Sequence, residues 1–535
     1  MTAPEGCDEF DAIVVGAGFA GLYMIHKLRG SGLRVLGVER GGGVGGTWYW
    51  NRYPGARCDV ESMDYSFGFD EALQQEWCWT ERYATQPEIL RYLNHVADRF
   101  DLRPIIRFET AVTEAHWDEA GRRWVVGTSS SAALSARFLI LATGSLSAAK
   151  SPDVPGVGSF AGRILRTSDW PDERVDFSGE RVGVIGTGSS AIQAIPHIAC
   201  SAAHLTVFQR TPAFTIPAHN APLTDAAIAE RKSSYAAYRR RARETSPGVI
   251  WPSSGRSALE LDAAEVRRVF EAAWDYGGAA FAAAFTDFIT DTRANEMAAD
   301  FVRDKIRAVV ADPEVAERLT PRGFPIGSKR LAVDTDYYAT FNRKNVKLVD
   351  LRSSPIDCID PGGVRTTTGH VKLDTIVLAI GFDAMTGSFL SAGVRGVDGL
   401  SLREAWRAGP RTYLGLMTSH FPNMFMIAGP GSPSVLSNMV LSIEQHVEWI
   451  GALISSMFQA GETRIEAKTS AQDEWVERVN AVAARTLYMK GDSWYLGANV
   501  TGKPRVFMPF VGGVRVYREI CESARENNYE GFVLS

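Results

Sequence analysis

Two glycine-rich turns, each between a short apolar run and a helical pattern, constrain the fold of this chain more than any other feature. They lie in residues 12–21, AIVVGAGFAG, and in residues 182–191, VGVIGTGSSA. Glycine allows a tight bend at the first position and a close approach of the backbone to an anion at the second. The free N–H groups of the following helix then face that anion. The sequence therefore predicts an α/β chain with two Rossmann-like dinucleotide-binding units.

The residues at the end of the second strand of each unit distinguish the two dinucleotides. In the first unit, the run RVLGVE ends at Glu39, whereas in the second the run LTVFQ is followed by Arg210. A carboxylate accepts hydrogen bonds from a free ribose diol and repels a 2′-phosphate, and an arginine does the opposite. We therefore expect one unphosphorylated dinucleotide and one NADPH, as in a flavoprotein that NADPH reduces.

Composition narrows the class of protein. With 535 residues, of which 45% are hydrophobic, the chain is long enough for two or three domains. The net charge of −5 argues against nucleic-acid binding, and neither a membrane span nor a leader pattern in residues 1–6 is recognisable. The six cysteines are widely spaced and the nine histidines form no metal-binding pattern. We expect a cytoplasmic enzyme without a metal, a nucleic-acid or membrane partner, or an obligatory protein partner.

Four longer segments resemble the single-chain Baeyer–Villiger monooxygenases that depend on FAD and NADPH, and most closely the phenylacetone and steroid monooxygenases. The segments are 45–59 (GGTWYWNRYPGARCD), 160–171 (FAGRILRTSDWP), 429–439 (GPGSPSVLSNM) and 493–499 (SWYLGAN). In the family they lie, respectively, beside the flavin, between the two nucleotide motifs, and in the C-terminal substrate and nicotinamide loops. The resemblance extends over nearly the whole chain.

The resemblance implies an activity. NADPH reduces FAD, the reduced flavin binds O2 as a C4a-peroxide, and one oxygen is inserted beside a ketone carbonyl to give an ester or lactone. The resemblance implies that Arg330 stabilises the anionic peroxide and the tetrahedral intermediate. It also implies that Asp59 orients Arg330. A guanidinium suits this role because it stays charged at every working pH, and a nearby carboxylate balances its buried charge.

The predicted binding residues fall into three groups. For FAD, spacing and resemblance together indicate Gly16, Gly18, Gly21 and Glu39, and resemblance alone adds Thr47, Trp48, Asp59, Tyr65, Val112 and Met439. For NADPH, the second turn indicates Gly186, Thr187, Gly188, Ser189 and Ser190, the strand end indicates Arg210, and resemblance adds Thr211, Lys329, Arg330 and Trp494. The substrate pocket is expected at Leu146, Ser434, Val435 and Leu436. Together, Arg210 and Lys329 are expected to bind the 2′-phosphate.

The patterns along the chain also predict a domain layout. Strand and helix patterns alternate up to the buried run FLILATG at 138–144, and a similar run, DTIVLAIG, lies at 374–381. We expect the first part of the FAD-binding domain in 1–145, a linker and the first part of the NADPH-binding domain in 146–221, a helical insertion in 222–325, the second part of the NADPH-binding domain in 326–383, and the C-terminal part of the FAD-binding domain in 384–535. A single clear helix is expected in this C-terminal region, near 442–457.

Two positions depart from the family pattern. Arg166 stands where the fingerprint has histidine, and Ile380 stands where the second Ala-Thr-Gly motif has threonine. If residue 166 only keeps a linker in register, either side chain suffices. If it takes part in docking the nicotinamide, the two differ, because histidine titrates near pH ~6.5 and arginine does not.

Three functions remain open on the sequence alone. The first is ketone oxygenation, which Trp170 favours because the related amine and sulfide oxygenases usually carry Phe or Tyr there. The second is oxygenation of a sulfide or amine by the same flavin peroxide. The third is an NADPH oxidase or redox module that releases one H2O2 per NADPH. The choice among aryl, cyclic and steroid ketones is also open.

Overall fold

The computed structural model describes residues 8–130 and 133–535. The leader expectation for residues 1–6 falls outside these ranges, as does Cys7. No helix in the described ranges combines the length and the apolar character needed to cross a bilayer.

The first α/β unit is built on a parallel core in the order β6-β1-β2-β3, to which β4 and β5 add an antiparallel hairpin. Its strands are β1 (Asp8–Val15), β2 (Val35–Val38), β3 (Ile106–Arg107), β4 (Val112–Asp118), β5 (Arg123–Thr128) and β6 (Leu134–Leu141). Its helices are α1 (Phe19–Gly30), α2 (Thr47–Trp50), α3 (Glu71–Glu76) and α4 (Gln86–Arg99). The apolar ends of β1 and β6 are buried, as expected for parallel strands covered on both faces.

The second unit has a five-stranded parallel sheet in the order β12-β9-β8-β16-β7. The strands of this region of the chain are β7 (Arg163–Arg166), β8 (Arg181–Ile185), β9 (His204–Gln209), β10 (Thr215–Pro217), β11 (Ala332–Asp334), β12 (Val346–Asp350), β13 (Ile356–Asp360), β14 (Gly363–Thr366), β15 (Gly369–Lys372) and β16 (Thr375–Leu378). The edge strand β7 lies inside the segment expected to be a linker, so that segment also extends the sheet.

Helices dominate the stretch between β10 and β11, where the insertion is expected. The helices of this half of the chain are α5 (Ser189–Ser201), α6 (Asp225–Arg243), α7 (Ala263–Tyr276), α8 (Thr292–Val309), α9 (Pro313–Leu319) and α10 (Tyr337–Thr340). With two parallel units and helices between their strands, the predicted α/β fold class is confirmed.

The C-terminal region returns to the first sheet, because its strand β18 pairs with β6 and its strand β17 pairs with β4. Its elements are β17 (Val394–Arg395), β18 (Met424–Met426), β19 (Ile465–Ala467), β20 (Phe532–Leu534), α11 (Gly387–Leu390), α12 (Leu402–Ala405), α13 (Met439–Ala460), α14 (Thr469–Ala484) and α15 (Val514–Glu526). The expected helix near 442–457 is α13, whereas α14 and α15 were not expected.

Candidate active site

A cavity of about 2160 Å³ is lined by residues of both α/β units and of the C-terminal region. The predicted residues on its wall are Gly16, Gly18, Glu39, Thr47, Trp48, Asp59, Tyr65, Val112, Leu146, Gly186, Thr187, Gly188, Ser189, Ser190, Arg210, Thr211, Lys329, Arg330, Val435, Met439 and Trp494. The structure thus gathers at one cavity residues that lie hundreds of positions apart in the sequence.

Three predicted residues lie off the wall. A Cβ atom on Gly21 would come within 1.8 Å of the Gly16 carbonyl oxygen, so this glycine lets α1 pack against the turn. The Ser434 side chain is fully buried, and its hydroxyl donates to the Ala428 carbonyl at 3.3 Å. Leu436 packs in an apolar cluster beside Val435. Neither Ser434 nor Leu436 therefore belongs to the cavity wall, although both were expected in the substrate pocket.

The first turn fits a phosphate. Helix α1 begins at Phe19 and its cap residue, Gly18, supplies no side-chain cap, so the first N–H groups of the helix stay available. Gly16 has φ of 107°, and a Cβ there would lie 2.6 Å from the Ala142 carbonyl oxygen. Only glycine therefore suits this bend, which opens onto the cavity.

The Glu39 carboxylate is held by the backbone at the end of β2. One oxygen accepts a hydrogen bond from Ala17 N and the other from Gly41 N, each at 2.7 Å. Burial raises the pKa of Glu39, and these two N–H donors oppose part of that rise. The fixed carboxylate keeps free lone pairs on the cavity wall, where it can accept hydrogen bonds from a ribose diol.

The second turn repeats this arrangement. Helix α5 begins at Ser189, its cap is Gly188, and no side chain caps it. A Cβ on Gly188 would meet nothing within 4 Å, so open space lies beside the helix N-terminus. The Thr187 hydroxyl donates to the Thr211 carbonyl at 2.8 Å, which ties the turn to the segment after β9. This segment begins with the exposed Arg210, whose guanidinium forms no ion pair within the described ranges.

Arg330 and Asp59 form a bidentate ion pair, although they lie 271 positions apart in the sequence. Arg330 Nε donates to one Asp59 oxygen at 2.9 Å, and Nη2 donates to the other at 2.7 Å. Nη1 donates to the Val435 carbonyl at 2.8 Å. Tyr495 is also a side-chain hydrogen-bond partner of Arg330, so three groups hold the guanidinium.

The surroundings keep Arg330 charged. Burial alone would lower the pKa of Arg330, but the nearby Asp59 carboxylate raises it above its ordinary value. The two side chains are 32% and 18% exposed, so the pair reaches the cavity while most of its surface is covered by the protein. A permanent positive charge is therefore fixed at the wall.

Aromatic side chains line the region next to this pair. Trp48 Nε1 donates to the Tyr65 hydroxyl at 3.3 Å, and the two rings meet edge to face at 5.9 Å. Val112 and Met439 add apolar surface to the same wall. A planar ring system such as an isoalloxazine fits walls of this kind.

Several polar groups on the wall were not expected from the sequence. Thr143 Oγ1, Ser493 Oγ and Asn499 Oδ1 are buried and have no hydrogen-bond partner among the described residues. Buried polar atoms are normally satisfied, so these three are suited to bond the hydroxyls or amides of a bound cofactor. Ser493 and Asn499 lie inside the quoted 493–499 segment, which was the available signal.

Comparison with known proteins agrees with this site. A family model described as pyridine nucleotide-disulphide oxidoreductase matches residues 13–237, which include both glycine turns. A Baeyer-Villiger monooxygenase from Pseudooceanicola batsensis is 42% identical over 99% of this chain and 97% of its own length. The phenazine N-monooxygenase PhzNO1 from Lysobacter antibioticus is 41% identical, with 98% of this chain and 97% of its own length covered.

Two solved structures are also similar over nearly the full length. An oxidized steroid monooxygenase bound to NADP is 53% identical with a TM-score of 0.94, covering 98% of this chain and 99% of that one. The OTEMO complex with FAD and NADP is 39% identical with a TM-score of 0.96, and both chains are fully covered. Together with the site geometry, these similarities show that the chain belongs to the Baeyer–Villiger monooxygenase family.

Proposed function

We propose that this enzyme uses FAD and NADPH to insert one oxygen atom of O2 beside a ketone carbonyl, giving an ester or lactone. The observation that carries the proposal is the Arg330–Asp59 ion pair on a cavity wall that also contains both glycine turns. Two dinucleotide sites without a fixed cation would suit many redox enzymes. A guanidinium that faces the same cavity adds a group able to stabilise developing negative charge.

In this proposal each of the two glycine turns binds a different cofactor. The first turn with Glu39 binds FAD, and the second turn with Arg210 and Lys329 binds NADPH, which accords with the OTEMO complex that contains both. Bound FAD, once reduced by NADPH, would activate O2 so that one of its oxygen atoms can be transferred. The domain bounds predicted from the sequence are part of this proposal, with one domain for FAD and one for NADPH.

Arg330 stabilises the negative charge that develops on the ketone oxygen during attack on the carbonyl carbon. Its positive charge lies on the cavity wall, and its high pKa prevents the guanidinium from protonating a nucleophile. Asp59 holds the plane of the guanidinium with two hydrogen bonds, and the Val435 carbonyl fixes its far edge. Because the group is already oriented, little reorganisation is needed when charge develops.

A panel of aryl, cyclic and steroid ketones tests this function. With each ketone, NADPH oxidation, O2 uptake and H2O2 release are measured, and products are identified by mass spectrometry. We expect one ester or lactone per NADPH with at least one ketone class. Release of one H2O2 per NADPH with every ketone would instead support the oxidase alternative.

A second candidate is oxygenation of a ring nitrogen or a sulfide. It is favoured by the 41% identity to the phenazine N-monooxygenase, whose name states an N-oxygenation. Heteroatom oxygenation uses an electrophilic oxygen and depends less on a fixed cation. We therefore expect Arg330→Lys to lower ester formation far more than any N-oxide or sulfoxide formation, as measured on the same enzyme preparation.

A further inference from the structure

Several cations on the cavity wall are already neutralised by carboxylates. They form the ion pairs Arg57–Glu81 at 3.4 Å, Lys503–Asp383 at 2.5 Å, Arg505–Asp492 at 2.5 Å and Arg330–Asp59 at 2.7 Å. Four others, Arg40, Lys150, Arg210 and Lys329, form no ion pair within residues 8–130 and 133–535. Arg40 follows Glu39 in the first unit and stacks on Trp50, so the other three are the candidates for the second unit. Unpaired cations on one wall are the usual arrangement for binding an anion.

The loop between β6 and β7 holds Lys150 at this wall. Its backbone N donates to the Gly381 carbonyl at 3.4 Å, just beyond β16, and the neighbouring Ala149 forms a bridge with Phe382. The Lys150 ammonium donates to the Asn499 carbonyl. This bond uses one of its three N–H groups and leaves two for a ligand.

Arg210 is the electrostatic neighbour that Lys150 and Lys329 share. Burial lowers the pKa of Lys150, and the positive charge of Arg210 lowers it further, against opposing contributions from Asp153 and Asp383. Burial also lowers the pKa of Lys329, where Arg210 adds to the effect and Asp492 opposes it. Arg210 is therefore close enough to each of the two lysines to repel it.

We propose that Lys150 is a third cation, beside Arg210 and Lys329, in the site that binds the 2′-phosphate of NADPH. A phosphate monoester carries up to two negative charges and three acceptor oxygens, which suits a cluster of three cations. The inference rests on the NADPH binding proposed above. Local sequence patterns did not indicate this role because Lys150 lies outside the second turn and its strand, and the loop joins them only in the fold.

Binding of NADP⁺ and NAD⁺ to the oxidised, FAD-loaded enzyme tests the proposal by isothermal titration calorimetry, independently of turnover. Lys150→Gln removes the charge but retains a side-chain donor for the Asn499 carbonyl. We expect Lys150→Gln to weaken NADP⁺ binding roughly tenfold and to leave NAD⁺ binding unchanged. Lys150→Arg, which keeps the charge, should stay within about threefold of the unmutated enzyme.

Lys347→Gln is the matched control. Lys347 is an exposed residue of β12 that does not line the cavity, so its loss changes the net charge equally without removing a wall cation. The flavin spectrum and the Tm of both variants confirm that they are folded. Unchanged NADP⁺ affinity in Lys150→Gln, or equal losses for NADP⁺ and NAD⁺, would overturn the inference. If the unmutated enzyme bound NAD⁺ and NADP⁺ equally, the NADPH proposal itself would fail.

Discussion

Arg330 is the residue on which the proposed chemistry depends most, and its replacement gives the first prediction. Arg330→Lys keeps a positive charge but loses the planar fork that contacts Asp59 with two nitrogens. We expect FAD to stay bound and ester formation to fall about 100–1000-fold, the usual loss when an oriented oxyanion donor is removed. Product formation per bound flavin is measured under saturating NADPH. Near-normal ester production by Arg330→Lys would rule out this role.

The second prediction at this scale concerns Arg210, which is exposed and forms no ion pair in the described ranges of the chain. Arg210→Ala should lose mainly discrimination between NADPH and NADH. A charge-assisted contact contributes about 1.5–3 kcal/mol, so the ratio of kcat/KM values for the two coenzymes should fall about 10–150-fold. The ratio is measured by flavin reduction with each coenzyme. Equal use of both coenzymes by the unmutated enzyme would contradict the assignment.

At the residue scale, local patterns predicted which glycines shape the site better than they predicted how its side chains pair or where they point. Glycine spacing located Gly16 and Gly188, because the bend and the open approach are requirements of the local backbone. The pairing of Arg330 with Asp59 needed a family resemblance, since no local rule relates residues 271 positions apart. The buried side chain of Ser434 could not be predicted, because it depends on how the loop after β18 turns, with φ of 44° at that residue.

At the scale of elements, a buried histidine joins α13 to α15 and gives a prediction about pH. Ala428 N donates to His446 Nδ1 at 2.9 Å, so neutral His446 carries its hydrogen on Nε2, which lies 2.9 Å from the Tyr517 hydroxyl. Burial lowers the pKa of His446 to about 3. Its contribution to stability is therefore present above the ordinary histidine pKa of about 6.5 and is lost as the pH falls towards 3.

We expect the free energy of unfolding to fall with a slope of up to about 1.4 kcal/mol per pH unit from this group alone below pH ~6. Urea unfolding at pH 7 and pH 5 measures the change. His446→Gln should be less stable at pH 7 but should lose less stability on acidification. His204→Gln, at an exposed position, is the control and should follow the unmutated protein. Parallel losses in all three proteins would refute the prediction.

Arg166 is the last residue of the edge strand β7. Its backbone pairs with Leu378 of β16, while its side chain is exposed and absent from the cavity wall. We therefore expect Arg166→His to leave the rate of flavin reduction unchanged between pH 6 and 8. Stopped-flow reduction by NADPH checks this across the range. A pH dependence that appears only in the variant would show that residue 166 takes part in docking the nicotinamide.

The strands beside the two glycine turns and the two apolar runs could be predicted, and the helices α14 and α15 near the C-terminus could not. The runs at 138–144 and 374–381 form the end of β6 and β16 as expected, because a short apolar run between turns favours a buried strand. In contrast, α15 has buried residues at Val514, Tyr517, Cys521 and Ala524, a helical spacing interrupted by charged residues. That spacing was visible in the sequence, but the surrounding Gly/Pro-rich loops obscured it.

At the scale of the whole molecule, a close contact joins the two nucleotide units. The Tyr53 hydroxyl donates to Gln193 Oε1 of α5 at 2.9 Å, and a Cβ on Gly55 would lie 2.4 Å from the Gln193 carbonyl oxygen. Gly55→Ala should therefore push the units apart and destabilise the protein by about 1–3 kcal/mol beyond its backbone strain. We expect a lower Tm and slower flavin reduction, with FAD retained.

Gly32→Ala is the control for the backbone strain. Gly32 has φ of 82°, close to the 81° of Gly55, but a Cβ there would meet nothing within 4 Å. Gly32→Ala should lower the Tm through backbone strain alone and leave the rate of flavin reduction unchanged. Equal effects of the two substitutions on both measurements would show that the contact with α5 does not matter.

The anchoring of Arg330 by the Val435 backbone has a consequence for how this enzyme could diversify. The contact uses a carbonyl, which every amino acid provides, and Val435 is one of the residues that line the cavity. The position can therefore accept different side chains, and so admit ketones of different shape, without releasing the guanidinium. Selection for new substrates can act at residue 435 while the oxygen-insertion chemistry remains intact.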